Sequence, residues 1–336
     1  MFDLCPYNTF GLHVQATEGR LISCIDDLKT ADADHCIIIG RGSDVLFTDD
    51  YEGTALINDI RDLNITQDGD EYIVEAGGGL VLDDLILDLL KTGICGLENL
   101  SAIPGTVGAA PVQNIGAYGV EIGSLIEKVE CYDLRRHCVE SFSAADCQFG
   151  YRTSYFKTHP ERKLFITKVV FRLHSIFKPV LTYKGLNGVN LEDALEVRER
   201  VIALRREKLP DPNDIGNAGC FFKNPIVTTE FAEKLAQSYE QMPVYQAADN
   251  MCKLAAGWLI DRSGCRGLCH GNVGTWNNQA LVIVNYGNAR PHEIVSLAKY
   301  IQSEVAMKFG VDLEPEVRIF GRQGEITWEK LWFLRF

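Results

Sequence analysis

The sequence predicts an α+β protein organised around one long glycine-rich loop, and three observations carry that expectation. Short strand-like stretches with period-two or continuous apolar character recur along the chain, among them Cys36–Ile39, Glu71–Ala76, residues 128–134, residues 166–173 and residues 279–285. Amphipathic helical stretches interrupt them at 83–91, 194–207 and 294–309, without the regular strand–helix alternation of a parallel α/β sheet. Between the first helix and the later strands lies Gly96–Gly119, GLENLSAIPGTVGAAPVQNIGAYG, which follows neither period.

That loop holds five glycines and four alanines with Pro104, Pro111, Asn99 and Asn114. Glycine permits positive φ and lets a second backbone or a ligand approach closely, and successive loop N–H groups form anion-binding concavities. Leu97, Leu100, Ile103, Val107, Val112 and Ile115 give it an apolar underside, so it reads as an ordered cofactor loop.

At 336 residues the chain has room for two or three domains, and 46% hydrophobic with 24% charged residues is ordinary for a globular protein. A net charge of −13 argues against nucleic acid or an anionic membrane as the main partner. The first residues lack the basic and apolar regions of a secretory signal, and no stretch reaches the roughly 20 apolar residues of a membrane span. The eleven cysteines are scattered, as reduced, mostly buried thiols would be. Cys265 and Cys269–His270 match no zinc spacing, so no metal is expected.

In chain order, residues 8–30 suggest a strand followed by a helix. Cys36–Ile39 then turns out through Gly40-Arg41-Gly42-Ser43. A dinucleotide-binding fingerprint would need glycine at position 45 and a following helix. Val45 stands there, and VLF leads through TDDYEG into another strand, which excludes a Rossmann dehydrogenase and leaves a strand–loop–strand phosphate site. Glu71–Ala76 ends in three glycines, and helix 83–91 stops at Gly93. FGYRTSYFK (149–157) sets Arg152 among Tyr151, Tyr155 and Phe156; read alone, Arg152 is equally a surface cation stacked on tyrosine. PVLTYKGL (179–186) is a loop presenting Tyr183. Helix 194–207 runs into Lys208-Leu209-Pro210-Asp211-Pro212, a stop that reads as a domain boundary. GNAGCFFKNP (216–225) follows. A cysteine beside two phenylalanines is most often core filler, but the flanking glycines and polar exit make Cys220 look presented to a cavity. Residues 251–261 suggest a helix, 294–309 a longer one ended by Gly310, and DLEPEVRIFG (312–321) an extended run. The tail TWEKLWFLRF is apolar enough either to pack on the body or to mark an interface.

Several of these motifs, in this order, resemble the UDP-N-acetylenolpyruvoylglucosamine reductase (MurB) family: the 96–119 loop, GRGSDVLF, FGYR, GNAGCFFKNP and LEPEVR. The likeness runs from Asn8 to about Gly321, and TYKGL, REKLPDP and the segment around Gln279 fit the longer type, with an extra tyrosine-bearing loop. The resemblance implies a PCMH/VAO-like two-subdomain FAD-binding fold with an additional α+β substrate domain, divided as 1–61, 62–209 with 312–336, and 210–311. FAD would be bound by Gly40, Arg41, Gly42, Ser43, Asp44, Pro104, Gly105, Val107, Gly108, Ala109, Gln113, Asn114, Gly116, Ala117 and Tyr118. Asp44 departs from the family's usual asparagine, and a carboxylate beside a pyrophosphate needs a cation such as Arg41 to offset it. NADPH would reduce the flavin, which would then reduce an enolpyruvyl UDP-sugar to UDP-N-acetylmuramate. Arg152 and a neutral, buried Glu316 would stabilise the enolate, and Cys220, where the closest pattern has serine, would protonate it. Tyr183, Arg205, Lys208, Asn224, Gln279 and Arg318 would contact substrate. The resemblance further implies a monomer in the bacterial cytoplasm. A flavin oxidase of the same wider fold and a non-catalytic flavin- or nucleotide-binding protein are the alternatives.

Overall fold

The computed structural model describes residues 1–331, and the sheets and helices below are those of the described residues. The chain gathers into two compact units. The first takes residues 1–2, 16–42 and 52–207, and the second 3–15, 43–51 and the residues from 208 onward. In this partition residues 312–331 go with 208–311.

The first unit is built on two sheets. One has the order Phe2–Asp3, Gln15–Ile22, Tyr51–Asn58, Cys36–Ile39. Its Cys36–Ile39 and Tyr51–Asn58 strands run parallel; Cys36–Ile39 is apolar throughout, and opposite it Ala55, Leu56 and Ile57 are buried, as a parallel pair covered on its faces requires. The other sheet is antiparallel, in the order Cys138–Ser143, Ile126–Asp133, Leu164–His174, Glu71–Gly77, Leu63–Asp68. Against it packs Leu82–Lys91, whose Leu82, Leu85, Ile86, Leu89 and Leu90 form the buried stripe. The loop's underside joins that core: Leu97, Leu100 and Val107 are buried, with Ile103, Val112 and Ile115 packed alongside.

The second unit carries a mixed set of small sheets. Gly216–Cys220, Val282–Asn285, Val273–Thr275 and Cys269–His270 form one, and Arg318–Gly321 pairs in parallel with Val45–Phe47 in another. The helix Pro291–Phe309 starts with proline in its first turn and the Glu293 carboxylate on the Arg290 N–H at 2.7 Å, and ends at Gly310 with φ of 65°. The predicted stripe Ile294, Leu297, Ala298, Ile301, Val305 and Phe309 is buried, with Val295 beside it.

Some expectations needed correction. The helix expected over 251–261 is a strand, Met251–Leu254, followed by a helix, Ala256–Arg262. Met251–Leu254 is the middle strand between Ile226–Thr228 and Val244–Ala248, so ladder pairing on both sides overrides the helical spacing. The helix expected near residue 25 is a single 3₁₀ turn, Ile25–Leu28, with the Asp27 carboxylate accepting the Ser23 and Cys24 N–H groups at 2.8 and 3.1 Å. In the tail, Trp328–Leu331 packs on the body, Trp328 edge-on to Phe221 and Phe222, whereas 332–336 lie outside the described residues.

Candidate functional site

The first unit brings its two glycine turns together. A Cβ on Gly40 would stand 2.7 Å from Thr106 Oγ1 and 3.5 Å from Ala109, so the turn after Cys36–Ile39 lies directly on the 104–109 segment. Gly108 is held as closely from the other side: its N–H donates to Gly78 O at 2.8 Å, and a Cβ there would meet that oxygen at 2.9 Å. Leu80 O accepts the Val107 N–H, and Gly105 O accepts the Leu82 N–H. The loop is thus locked to the glycine run 77–79 and the start of helix Leu82–Lys91.

Farther along, the segment around Arg152 clasps the second half of the loop. Arg152 Nη2 donates to Gly116 O at 3.0 Å, Ser154 Oγ to Val112 O at 2.5 Å, and Lys157 Nζ to Gln113 Oε1 at 3.1 Å. Asn114 spends its side chain internally, Nδ2 on Gly150 O and Glu121 Oε2 and Oδ1 on the Gly123 N–H. Asn114, Tyr118 and Arg152 all hold positive φ (45°, 52° and 55°), conformations that side-chain-bearing residues keep only where the surroundings fix them. Arg152 also stacks over Tyr151 at 5.4 Å. The surface-stacked reading of Arg152 therefore captures half of its environment; the other half is the glycine-rich loop. Ala117 pairs with Val120, and Tyr118, nearly buried, meets Tyr183 edge-on at 4.9 Å between ring centres. Arg205 is half-exposed on the helix Ala194–Lys208, and its charge reaches Asp83.

These residues fit a dinucleotide such as FAD. Between Asn99 and Val120 no Asp or Glu occurs, so that stretch itself offers no carboxylate to an anionic diphosphate. The tight loop-on-loop packing at Gly40 and Gly108 leaves backbone where larger residues would put side chains.

The second unit assembles another set of candidates. Cys220 ends the strand Gly216–Cys220 opposite Val282, after a bulge between Asn217 and Cys220. Asn217 builds the bulge: its Oδ1 accepts the Gly219 N–H at 2.9 Å and its Nδ2 donates to Ile215 O at 2.8 Å, while Gly219 takes φ of 70°. Cys220 is left half-exposed between buried Ala218 and Phe221, where core filler would be closed over. The 313–317 segment then runs beside the exit of this strand, Glu316 N–H on Phe221 O at 2.7 Å and Lys223 N–H on Glu314 O at 2.9 Å. Cys220 and Glu316, 96 positions apart, thereby become neighbours. Glu316 is half-buried, where full burial was expected, because Leu313 and Val317 take the core positions of that segment.

Asn224 and Gln279 meet at one helix end. Asn224 Oδ1 accepts the Ala256 N–H at 2.9 Å, and a Cβ on Gly257 would stand 2.6 Å from Gln279 Oε1. Arg318 donates to both Glu325 carboxylate oxygens, at 2.9 and 2.7 Å, and its N–H reaches Asp44 O at 3.0 Å. The Arg318 guanidinium feels the Asp44 charge, and Arg41 is exposed. Ser43 is half-exposed beside Asp44, and Gly42 has φ of 61°. Lys208 closes the helix Ala194–Lys208, two residues before Pro210, whose carbonyl accepts from Asn217 Nδ2 at 3.3 Å.

Sequence reasoning missed the residues that hold these parts. Asn99, Asp83, Arg198, Ser154 and Asn217 touch the candidate segments through buried or partly buried hydrogen bonds. For Asn99 a signal existed, a polar residue flanked by the loop's buried leucines; for Asp83 and Arg198, 115 positions apart, none did.

Comparison with known proteins places the chain among relatives. Residues 17–135 match the family described as FAD binding domain, and 211–320 the one described as UDP-N-acetylenolpyruvoylglucosamine reductase, C-terminal domain. Proteins named UDP-N-acetylenolpyruvoylglucosamine reductase are 40% identical in Pectobacterium atrosepticum over 335 residues, covering 97% of each chain. The one from Chromobacterium violaceum is 43% identical over 328 residues, 94% of this chain and 96% of that one. The crystal structure of UDP-N-acetylenolpyruvylglucosamine reductase from Thermus caldophilus, 24% identical, shares the fold with a TM-score of 0.67 over 94% of this chain and 96% of that chain. Identity at this level over nearly the whole length means that the chain belongs to the UDP-N-acetylenolpyruvoylglucosamine reductase family.

Proposed function

We propose that the chain carries out the FAD-dependent, NADPH-driven reduction of the enolpyruvyl group of UDP-N-acetylglucosamine enolpyruvate, giving UDP-N-acetylmuramate for peptidoglycan synthesis. Family membership and the FAD-binding match support the reaction. The observation that supports the assignment of residues is the backbone bond from the Glu316 N–H to Phe221 O, which brings residue 316 alongside the strand that ends at the half-exposed Cys220.

The chemistry that FAD supplies when bound is relay of a hydride from NADPH to the terminal carbon of the enol ether. Gly40–Asp44 and Pro104–Tyr118 are the segments that would hold it. Charge then develops on the substrate's α-carbon and carboxylate as an enolate. Arg152 and the neutral Glu316 carboxyl are donors for that charge, each lost donor costing roughly 3 kcal/mol of barrier. The Cys220 S–H gives its proton to the α-carbon and is reprotonated from solvent. Because Glu316 is half-buried in the protein alone, a bound substrate completes the desolvation that keeps its carboxyl protonated. Tyr183, Arg205, Lys208, Asn224, Gln279 and Arg318 are proposed substrate contacts, with the cations suited to diphosphate and carboxylate. The division into 1–61, 62–209 with 312–336, and 210–311 belongs to the same proposal. So does a monomer working in the bacterial cytoplasm; among the described residues no helix is long and apolar enough to cross a membrane.

The visible spectrum tests the reading. An oxidised-flavin band that bleaches with anaerobic NADPH and returns on adding the enolpyruvyl sugar nucleotide supports it. A protein that stays colourless after reconstitution with FAD overturns it.

A further inference from the structure

One side chain spans the cofactor loop and the loop that presents Tyr183. Asn99, 1% exposed, donates from Nδ2 to Tyr118 O at 2.8 Å and to Val180 O at 2.9 Å. The two hydrogens of a single amide thus tie the end of the cofactor loop to the segment three residues before Tyr183. Neighbouring contacts follow the same line. Tyr118 meets Tyr183 edge-on at 4.9 Å. Gly119, at φ of 90°, is approached so closely that a Cβ would stand 3.2 Å from both Val180 Cγ1 and Thr182 Oγ1. Leu181 and buried Leu186 join Tyr118 in one cluster with the helix Ala194–Lys208.

Between His174 and Ala194 the described chain forms no helix or strand. Such a segment has no ladder of its own and sits at the low end of local stability, so a buried tie has leverage over it. We propose that Asn99 is a positioning residue that couples occupancy of the cofactor loop to the placement of Tyr183. Ordering Gly116–Gly119 around a dinucleotide fixes Tyr118 O, and Asn99 transmits that order to Val180 O at the base of the loop that presents Tyr183. The coupling rests on the reading of 104–118 as the FAD loop and Tyr183 as a substrate contact.

The test is hydrogen exchange on the whole protein, FAD-stripped and FAD-loaded, without substrate, in wild type, Asn99→Ala and the isosteric Asn99→Asp, which lacks the amide hydrogens. In wild type, FAD slows exchange in both 104–120 and 177–191. In either variant it slows 104–120 and leaves 177–191 unchanged. The variants also raise KM for the enolpyruvyl substrate about tenfold, within the usual range of coupling between sites, and leave flavin bleaching by NADPH at the wild-type rate. Wild-type residues 177–191 indifferent to FAD overturn the coupling, whether or not the variants fold. So does an equal response of 177–191 in wild type and variants. A 104–120 segment indifferent to FAD overturns instead the placement of the cofactor, and the coupling with it.

Discussion

Glu316 lies against Phe221, its N–H on the Phe221 carbonyl at 2.7 Å, and this bond holds the 313–317 segment alongside 216–225. The bridge between Phe222 and Pro315 and the Lys223–Glu314 bond continue the contact. Backbone bonds set the position of Glu316, so its side chain can be altered without moving the segment.

Replacement of Glu316 therefore separates two roles. If the carboxyl acts as a neutral donor, Glu316→Gln keeps an N–H donor and retains far more activity than Glu316→Ala. The alanine variant is expected to lose roughly 10²–10³ in kcat, the cost of one oxyanion donor. Single-turnover reoxidation of the reduced flavin by substrate measures it. Equal losses in the two variants would mean that the carboxyl works as a base.

Cys220 has a chemically sharper test. A thiol that must be protonated to donate loses function as pH rises through its ionisation, whereas a serine hydroxyl does not ionise in the accessible range. Wild type is expected to show an alkaline limb in kcat that Cys220→Ser lacks, together with inactivation by alkylating agents and peroxide that the serine variant resists. An unchanged pH profile in Cys220→Ser removes the cysteine from proton delivery.

Much of this arrangement was legible in the chain, and what was not has a physical cause. The stripe of Pro291–Phe309 and the strands Cys36–Ile39 and Glu71–Gly77 are written in local periodicity. Met251–Leu254 was misread because small and apolar residues suit a helix locally, and only two partner strands decide otherwise. Leu63–Asp68 escaped notice because it is an edge strand, exposed throughout, whose alternation is limited to Leu63 and Ile65 before three polar residues. Motif resemblance named Arg152, Cys220 and Glu316, but not what holds them. Asn217, which shapes the bulge before Cys220, and Ser154, which pins the Arg152 turn to Val112, act through single hydrogen bonds that leave no periodic trace.

The two loop glycines are expected to differ under the same substitution. At Gly108 a Cβ meets the Gly78 carbonyl at 2.9 Å and Asn58 Nδ2 at 3.0 Å. A carbonyl cannot rotate away, so Gly108→Ala shifts the loop, costing about 1–3 kcal/mol of stability and most of the bound flavin. At Gly40 the nearest atom is Thr106 Oγ1 at 2.7 Å, on a buried side chain that can yield by giving up its 3.3 Å bond from the Ala109 N–H, a smaller cost than moving backbone. Gly40→Ala is therefore the milder lesion. Flavin absorbance per protein and the Kd for FAD check both, and the reverse order would contradict the packing described.

Glu98 makes the glycine-rich loop sensitive to pH in a direction set by its burial. It is 2% exposed, and burial pushes its carboxyl above the usual range, opposed by the Gly96 N–H at 2.6 Å and by its own N–H. The folded chain thus holds this proton more tightly than the unfolded chain, where a glutamate titrates near 4.3. Stability from this group is fully present below that value and is lost as pH rises through the higher folded value, because there the native state binds more protons than the unfolded one. Glu98→Gln keeps an oxygen for the Gly96 N–H and removes the titration. The stability of Glu98→Gln relative to wild type should therefore improve as pH rises from 4 to 7. Thermal unfolding of both proteins across that range measures it. A Tm difference that stays constant with pH would mean that the Glu98 carboxyl ionises alike in the folded and unfolded chains, and that the loop is held by the Gly96 contact without regard to charge.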